Sequence, residues 1–502
     1  MIGTLGTTAV PAVSSAIELP DVEQQLAVIM DDNAVMGLAA GIAKNGRVRW
    51  TAGLGLADQQ SGALVADDTI FNQASVAKMI TAVAAMQLVD RGQVGLDDDL
   101  NLYLPFHLAH PSSPDTPITL RHVLTHTTGI RDDLNVFIEA IEPGDPTQSL
   151  RGFLERYLSI AGDLYDPDEN FVATPPGTAY QYSNFGFGLA ALLVEEVTGQ
   201  SFRNYTKKQI FRPLGMKDTG WFLADIDVDR LAVPHELEQG VFEPIGHYGY
   251  PVYSSGLLRT TAADLGNFLG TMANYGARFS KRILSLGAAE QMLTVQYPAI
   301  DPTQGLGFVC LTPPQCNLWG HNGGDPGVET LALFDPESND AVWVMSNSNT
   351  GGDDVPGNEL AQVEMIGTLF EAGEGVQPPP SFVIPSIWHD RMQPGHSMSL
   401  NRFGKSLFVL ANSYDAVTGE PIWLSGLGRM NGQFADVVLN RRTALGDSTA
   451  VGQVMLRFDA GQSEVCGGGD RGDARSLAHA LVDVDGEQIA FCLEPLSTVP
   501  QQ

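Results

Sequence analysis

The sequence predicts an α/β chain of the α+β type: an antiparallel sheet flanked by helices over residues 1–377, then a small all-β domain over residues 378–502. Three observations predict it. The chain has 502 residues, beyond the roughly 250–300 at which a single core stops growing, so at least two domains are expected. The stretch "EAGEGVQPPPSF" runs into Pro378, Pro379 and Pro380, and successive prolines favour an extended segment that joins neither a helix nor a central strand. Before that linker helix and strand signals mix, with strands at both ends; after it there are only short β-type runs.

The elements follow in order. "GLAAGIAKNGRVRWTAGLG" has two apolar runs around Asn45-Gly46, a dipeptide suited to a type I′ turn, and reads as a hairpin. "ASVAKMITAVAAMQLVDRG" is rich in alanine and methionine, ends at Gly92, and reads as a helix. Helices are also expected at "FGFGLAALLVEEVTG" and "TAADLGNFLGTMANYG", and a strand pair at "ETLALFDPESNDAVWVMSNSN". Residues 131–175 read as loops that shape a pocket. Past the linker, "KSLFVLANSYDAVTGEPIWLSGLGRMNGQFADVVLN" and "VGQVMLRFDAG" are short β runs separated by turn residues.

Composition excludes several classes. With 43% hydrophobic and 17% charged residues the chain is neither disordered nor fibrous. Fifty-nine acidic against twenty-eight basic residues give a net charge of −31, which repels phosphate backbones, so nucleic acid is not an expected partner. No run approaches the roughly 18–20 apolar residues of a membrane helix. The opening "MIGTLGTTAVPAVSSAIELP" lacks the basic and apolar regions of a signal peptide, which leaves a trimmed exported protein and a cytoplasmic one both open. Four cysteines permit three pairings, of which Cys310–Cys316 with Cys466–Cys492 keeps each bridge within one domain. Such bridges imply a periplasm or the cell exterior; the alternative is four buried thiols.

Chemistry concentrates in three places. Ser75 stands where a helix begins, where partial positive charge and free amides can activate a nucleophile, and Lys78 lies one turn on along the same face. In "PGTAYQYSNFGFG", Tyr182 and Asn184 are two apart in an extended loop and point the same way, one to relay a proton and one to hold a substrate carbonyl. In "LWGHNGGDPGVET", His321 is followed by Gly323 and Gly324, which let a substrate backbone approach, and the Gly324 amide can join that of Ser75 as an oxyanion donor. On spacing alone, Ser75 could equally be a plain helix cap with a solvated Lys78.

The order Ser-x-x-Lys, Tyr-x-Asn, then a third motif ending in glycine resembles the penicillin-recognising serine hydrolases: class C β-lactamases, D,D-peptidases and their esterase and aminopeptidase relatives. The likeness spans most of residues 20–370 and includes "ITLRHVLTHTTGI", "IFRPLGMKDTGW" and "SSGLLRTTAADLGNFL". It implies a helical subdomain beside the sheet, an acylated Ser75, proton transfers shared by Lys78 and Tyr182, substrate contacts from Asn184, His321 and Gly323, and no metal or cofactor. His321 stands where class C β-lactamases carry lysine, which argues against β-lactam turnover; a neutral imidazole lacks the fixed positive charge that would bind a carboxylate, a charge it could regain at mildly acidic pH. The resemblance implies cleavage of peptides containing D-residues, with a linear-microcystin peptidase one conceivable member. A carboxylesterase and a penicillin-binding sensor that acylates without turnover are the alternatives. The substrate is a small peptide or ester in each case. Which of Lys78 and Tyr182 is the base, and the oligomeric state, stay open.

Other matches carry less. "PGHSMS" at residues 394–399 imitates a nucleophile elbow in the all-β part, and Arg471-Gly472-Asp473 is a chance tripeptide. His122 and His126 in "HVLTH" lack the glutamate that zinc chemistry needs between them and read as structural, and Asp97–Asp99 reads as a solvated segment.

Overall fold

The computed structural model describes residues 19–374 apart from 314–315 and 350–356, and the main chain of eight strands between 387 and 495. The described chain opens with helix α1 (Pro20–Asp32), followed by strands β1 (Gly37–Lys44) and β2 (Arg47–Asp58). The turn between the strands is Asn45-Gly46, with φ of 53° and 69°, the positive pair that a type I′ turn requires. The short strand β3 (Ala63–Leu64) follows, then helices α2 (Ala77–Asp90), α3 (Leu120–Leu124), α4 (Asn184–Thr198) and α5 (Ala262–Ala273). Strands β4 (Val309–Cys310), β5 (Trp319–Asp325), β6 (Val328–Asp335) and β7 (Asp340–Ser346) and helix α6 (Gly357–Glu374) complete this part.

Seven strands form one antiparallel sheet in the order β4-β5-β6-β7-β1-β2-β3, so the two ends of the segment meet at β7 and β1, with Ala40 opposite Val344. Strand alternation decides the layers. Leu38, Ala40, Ile42, Val342 and Val344 pack with Leu26 and Ile29 of α1 and Met365 and Leu369 of α6. Ala39, Ala43, Ala341, Trp343 and Met345 face the other way, toward α5 and the helical subdomain. Trp343 is accommodated there because Gly41 and Gly266 carry no side chain; a Cβ on either would overlap its ring. Helix α2 is buried from Ala77 to Leu88, which explains why its sequence is apolar all round rather than amphipathic.

Residues 131–175 depart from the loop reading. They contain helices Leu134–Glu139 and Leu150–Leu158, the first capped by Asp133, which accepts from the amides of Asn135 and Val136, and the second by Ser149, which accepts from Gly152. The acidic run is also more than a solvated stretch: Asp97 pairs with Arg121 at 2.7 Å, and Asp99 caps the turn Leu100–Leu102. Cys310 and Cys316 form a disulfide, while Cys466 lies outside the described residues. The strands between Ile387 and Pro495 close into an eight-stranded barrel of neighbouring antiparallel pairs, in accord with the all-β reading. The proline linker and Arg471-Gly472-Asp473 fall outside the described residues, as do residues 394–396 of the elbow-like stretch, whose remainder enters strand Ser397–Phe403.

Candidate active site

Ser75 lies in a single 3-10 turn, Ala74–Val76, that leads directly into α2. The residue before it, Ala74, is held at φ 43°, a left-handed conformation unusual for a side-chain-bearing residue and of the kind that collects at functional sites. Ser75 is not a plain cap. Its Oγ accepts a hydrogen bond from Lys78 Nζ at 3.0 Å and another from Tyr182 Oη at 2.7 Å. Lys78, one turn along, has 0% of its surface exposed. Its ammonium nitrogen also donates to Asn184 Oδ1 at 2.7 Å and to the Ser255 carbonyl at 2.8 Å, so all three of its donors are used.

Burial sets the proton positions. Removal from water holds the Lys78 amine down to about 7, with the nearby carboxylates of Asp325 and Asp132 opposing that fall. The same burial pushes the Tyr182 hydroxyl well above its ordinary value, against the hydrogen bond to Ser75 that favours its anion. Lysine thus gives up its proton far more readily than tyrosine.

Tyr182 and Asn184 reach the serine from one short segment, with Ser183 between them as the extended N-cap of α4, its Oγ accepting from the Gly186 amide. Helix α4 begins at Asn184 itself rather than after it. Asp132 holds this helix entrance: Oδ1 accepts from Ser183 Oγ at 2.6 Å and the Phe185 amide at 3.1 Å, and Oδ2 accepts from the Asn184 amide at 2.6 Å. Burial nevertheless pushes the Asp132 carboxyl up. His126 stacks on the Tyr182 ring at 4.3 Å between centroids, and its Nδ1 accepts from the Ser183 amide. Burial lowers its pKa well below the usual imidazole range, so it is a neutral wall for the tyrosine. Its partner in "HVLTH", His122, instead closes a capping box with Thr119 and stacks on Tyr297.

Asp132→Asn is expected to replace one acceptor with an NH2 group facing a donor, costing about 1–3 kcal/mol. Because Tyr182 and Asn184 hang from the same main chain, acylation of Ser75 should also slow by roughly 10²-fold. Thermal melting and single-turnover rates read the two effects separately.

Strand β5 supplies the opposite wall. His321 and Gly323 alternate with Asn322 and Gly324, and a Cβ on Gly323 would lie 2.9 Å from the Ser75 amide nitrogen and 2.7 Å from the Gln73 carbonyl. Only glycine permits this approach. Gly324 is exposed, one residue further along. His321 is buried, and its Nδ1 donates to the carbonyl of Asn322. Desolvation, aided by the Lys78 charge, holds its pKa down to about 4. His321 is thus neutral, as the sequence suggested, and burial first, with the Lys78 charge second, keeps it so at mildly acidic pH as well.

Two of the predicted motifs thus meet at the Ser75 hydroxyl, and the third comes up to its main chain through Gly323. The sequence reading missed Asp132, Ser255 and Asp325, whereas it had named His126 and given it the structural role seen here. Asp132 had a faint signal, an acidic residue directly after "TTGIR", but its partners are 51–53 residues away.

A serine hydroxyl at the head of a buried helix, bonded to a desolvated lysine and a tyrosine beside a glycine-bearing strand, defines an acyl-transferring serine hydrolase class. Residues 22–364 match the Beta-lactamase family, and the chain belongs to it as one of its serine hydrolases. "Esterase EstB" of Burkholderia gladioli is 31% identical over 224 residues, 43% of this chain and 53% of that protein, so the match spans about half the esterase. "D-alanyl-D-alanine-carboxypeptidase/endopeptidase AmpH" of Escherichia coli (strain K12) is 26% identical over 295 residues, 55% of this chain and 71% of that protein. Among solved structures, the octameric penicillin-binding protein homologue from Pyrococcus abyssi matches with a TM-score of 0.54 at 19% identity, covering 92% of this chain and 98% of that one. No described helix is long and apolar enough to cross a membrane.

Proposed function

We propose that the enzyme cleaves amide bonds in small peptides with a D-residue at or next to the cut bond, through an acyl-enzyme on Ser75. The observation that carries this is the pair of hydrogen bonds that Ser75 Oγ receives from Lys78 and Tyr182. In the proposed scheme Lys78, once deprotonated, accepts from Ser75 Oγ–H instead of donating to it and takes that proton as Oγ attacks the carbonyl carbon; Tyr182 then relays the proton from Lys78 to the nitrogen as the C–N bond breaks and the amine leaves. The carbonyl oxygen becomes an oxyanion between the amides of Ser75 and Gly324. Asn184, whose Oδ1 is committed to Lys78, turns its NH2 to the substrate, and bare Gly323 leaves room for the substrate's main chain. Water then attacks the acyl carbon as Lys78 takes its proton, and the C–Oγ bond breaks to release the acid as Lys78 returns that proton to Ser75 Oγ.

The likeness to AmpH, a D-alanyl-D-alanine-carboxypeptidase/endopeptidase, supports the peptidase reading, and that to the esterase EstB supports a second one, a carboxylesterase on the same residues. The esterase reading is also favoured by neutral His321, which offers no cation to a substrate carboxylate. We assign catalysis to residues 1–377 and an accessory role to residues 378–502. The Cys310–Cys316 bridge supports a periplasmic or extracellular location.

Mass spectrometry after incubation with D-residue peptide amides and p-nitrophenyl esters tests the proposal. Turnover of the amides, with a transient adduct on Ser75 and none in Ser75→Ala, is the expected result. Reaction of esters alone selects the carboxylesterase. A long-lived adduct without turnover selects the sensing reading, and no adduct at all removes Ser75 as nucleophile.

A further inference from the structure

Asp325 ends strand β5 one residue beyond Gly324 and two beyond Gly323, so strand alternation places His321, Gly323 and Asp325 on the one face that meets Ser75. Its carboxylate is built into place. Oδ2 accepts from Tyr250 Oη at 2.9 Å, and a Cβ on Gly256 would lie 3.2 Å from that oxygen, next to the Ser255 carbonyl that holds Lys78. The main chain is held as well: Asn349 Nδ2 donates to the Asp325 carbonyl at 2.8 Å, and Tyr248 Oη to the Pro326 carbonyl at 2.9 Å. Asp325 is half-buried, and its Oδ1 accepts no hydrogen bond from any described residue.

The charged and titratable groups packed nearest to it are already committed. Lys78 spends its donors on Ser75, Asn184 and Ser255. Arg259 is buried and donates to the carbonyls of Trp221 and Tyr248. Asp132 is engaged at the entrance of α4, and His321 is neutral. Burial pushes the hydroxyls of Tyr182, Tyr248 and Tyr250 up, so they stay uncharged. Among these groups the charge left for a substrate is the Asp325 carboxylate, negative at neutral pH although burial pushes its pKa up to about 6; the other nearby carboxylate, Glu329, beside Gly324, is engaged by Gln362.

We infer that Asp325 is a specificity residue that accepts the free α-ammonium of the substrate's acyl residue and rejects a carboxylate there, so that the preferred substrates are amino-acyl amides and esters with an unblocked amine. The geometry fits. An α-ammonium lies two bonds from the carbonyl carbon, and with the carbonyl oxygen at the Gly324 amide it meets the next residue of the strand, about 3.8 Å along between Cα atoms. A charged donor meeting a carboxylate oxygen that has no protein partner makes a strong, short hydrogen bond. This inference rests on the acyl-enzyme reading of Ser75 given above.

The test compares kcat/KM for D-alanine p-nitroanilide, its N-acetyl derivative and its N-succinyl derivative, which carries a carboxylate. The wild-type enzyme should prefer the free amine by at least about 10-fold over the acetyl form and more over the succinyl form, the scale of one charge-assisted contact. Asp325→Asn should erase most of that ratio, and Asp325→Glu should restore part of it. Inhibition of Ser75 acylation by D-alaninamide and by N-acetyl-D-alaninamide gives the same comparison if p-nitroanilides turn over slowly. A residue that only supports the fold or tunes Lys78 would change all substrates together and leave the ratio alone. An unchanged ratio in Asp325→Asn, or a wild-type preference for blocked amines, overturns the inference while Ser75 acylation stands. Loss of the Ser75 adduct with every reagent overturns the site reading itself.

Discussion

Lys78→Ala should acylate Ser75 about 10³-fold more slowly than the wild-type enzyme, the middle of the range for loss of a general base. Its pH profile should change with it. In the wild-type protein Lys78 is an ammonium below about 7 and a free amine above it, so the acylation rate should climb with pH through about 7 and then level off. Removing the lysine removes that inflection. Tyr182→Phe should also slow acylation, by roughly 10²-fold, but should keep the rise near 7 because the amine is still present. Stopped-flow measurement with a p-nitrophenyl ester from pH 5 to 9 reads both variants. An inflection that survives in Lys78→Ala would place the base elsewhere, and a Tyr182→Phe protein that acylates normally would take tyrosine out of the relay.

Gly323→Ala is the second large effect. The added methyl group has no room: it would overlap Thr330 Oγ1 and lie 2.9 Å from the Ser75 nitrogen and 2.7 Å from the Gln73 carbonyl. Two of these neighbours are main chain, and Thr330 is itself bonded to the Gln73 carbonyl at 2.8 Å, so the strand must move away from the head of α2. The expected cost is about 1–3 kcal/mol of stability, as for overpacking of a tight core. Activity should fall by more than stability explains, near 10²-fold, because the two proposed oxyanion donors belong to the two segments forced apart. Denaturant melts beside single-turnover rates at a temperature where the variant is folded separate the two effects. Wild-type activity in Gly323→Ala would mean that β5 does not form the wall of the reacting site.

Local patterns announced much of this. Asn45-Gly46 announced its turn because few residue pairs adopt two positive φ angles in succession, and both values are observed. The helix after Ser75 was legible from alanine and methionine, and the three motifs could be read as one site because their order is a property of the chain. Spacing alone left Ser75 ambiguous between a cap and a nucleophile. That ambiguity vanishes only when Tyr182, 107 residues away, donates to the same oxygen as Lys78.

Sequence by itself determined the likeness to the family, the order of the motifs, the change to an all-β region, and the motif residues Ser75, Lys78, Tyr182 and Asn184 that meet at the site. The tertiary structure decided their chemical states. Lysine is a workable base only because burial withdraws its charge from water, and that burial is assembled from α2, α4 and the Ser255 turn, distant in the chain. His321 is neutral and Asp325 is the unspent charge for the same reason: desolvation and the sign of neighbouring charges are properties of a packed volume, which no run of neighbouring residues encodes.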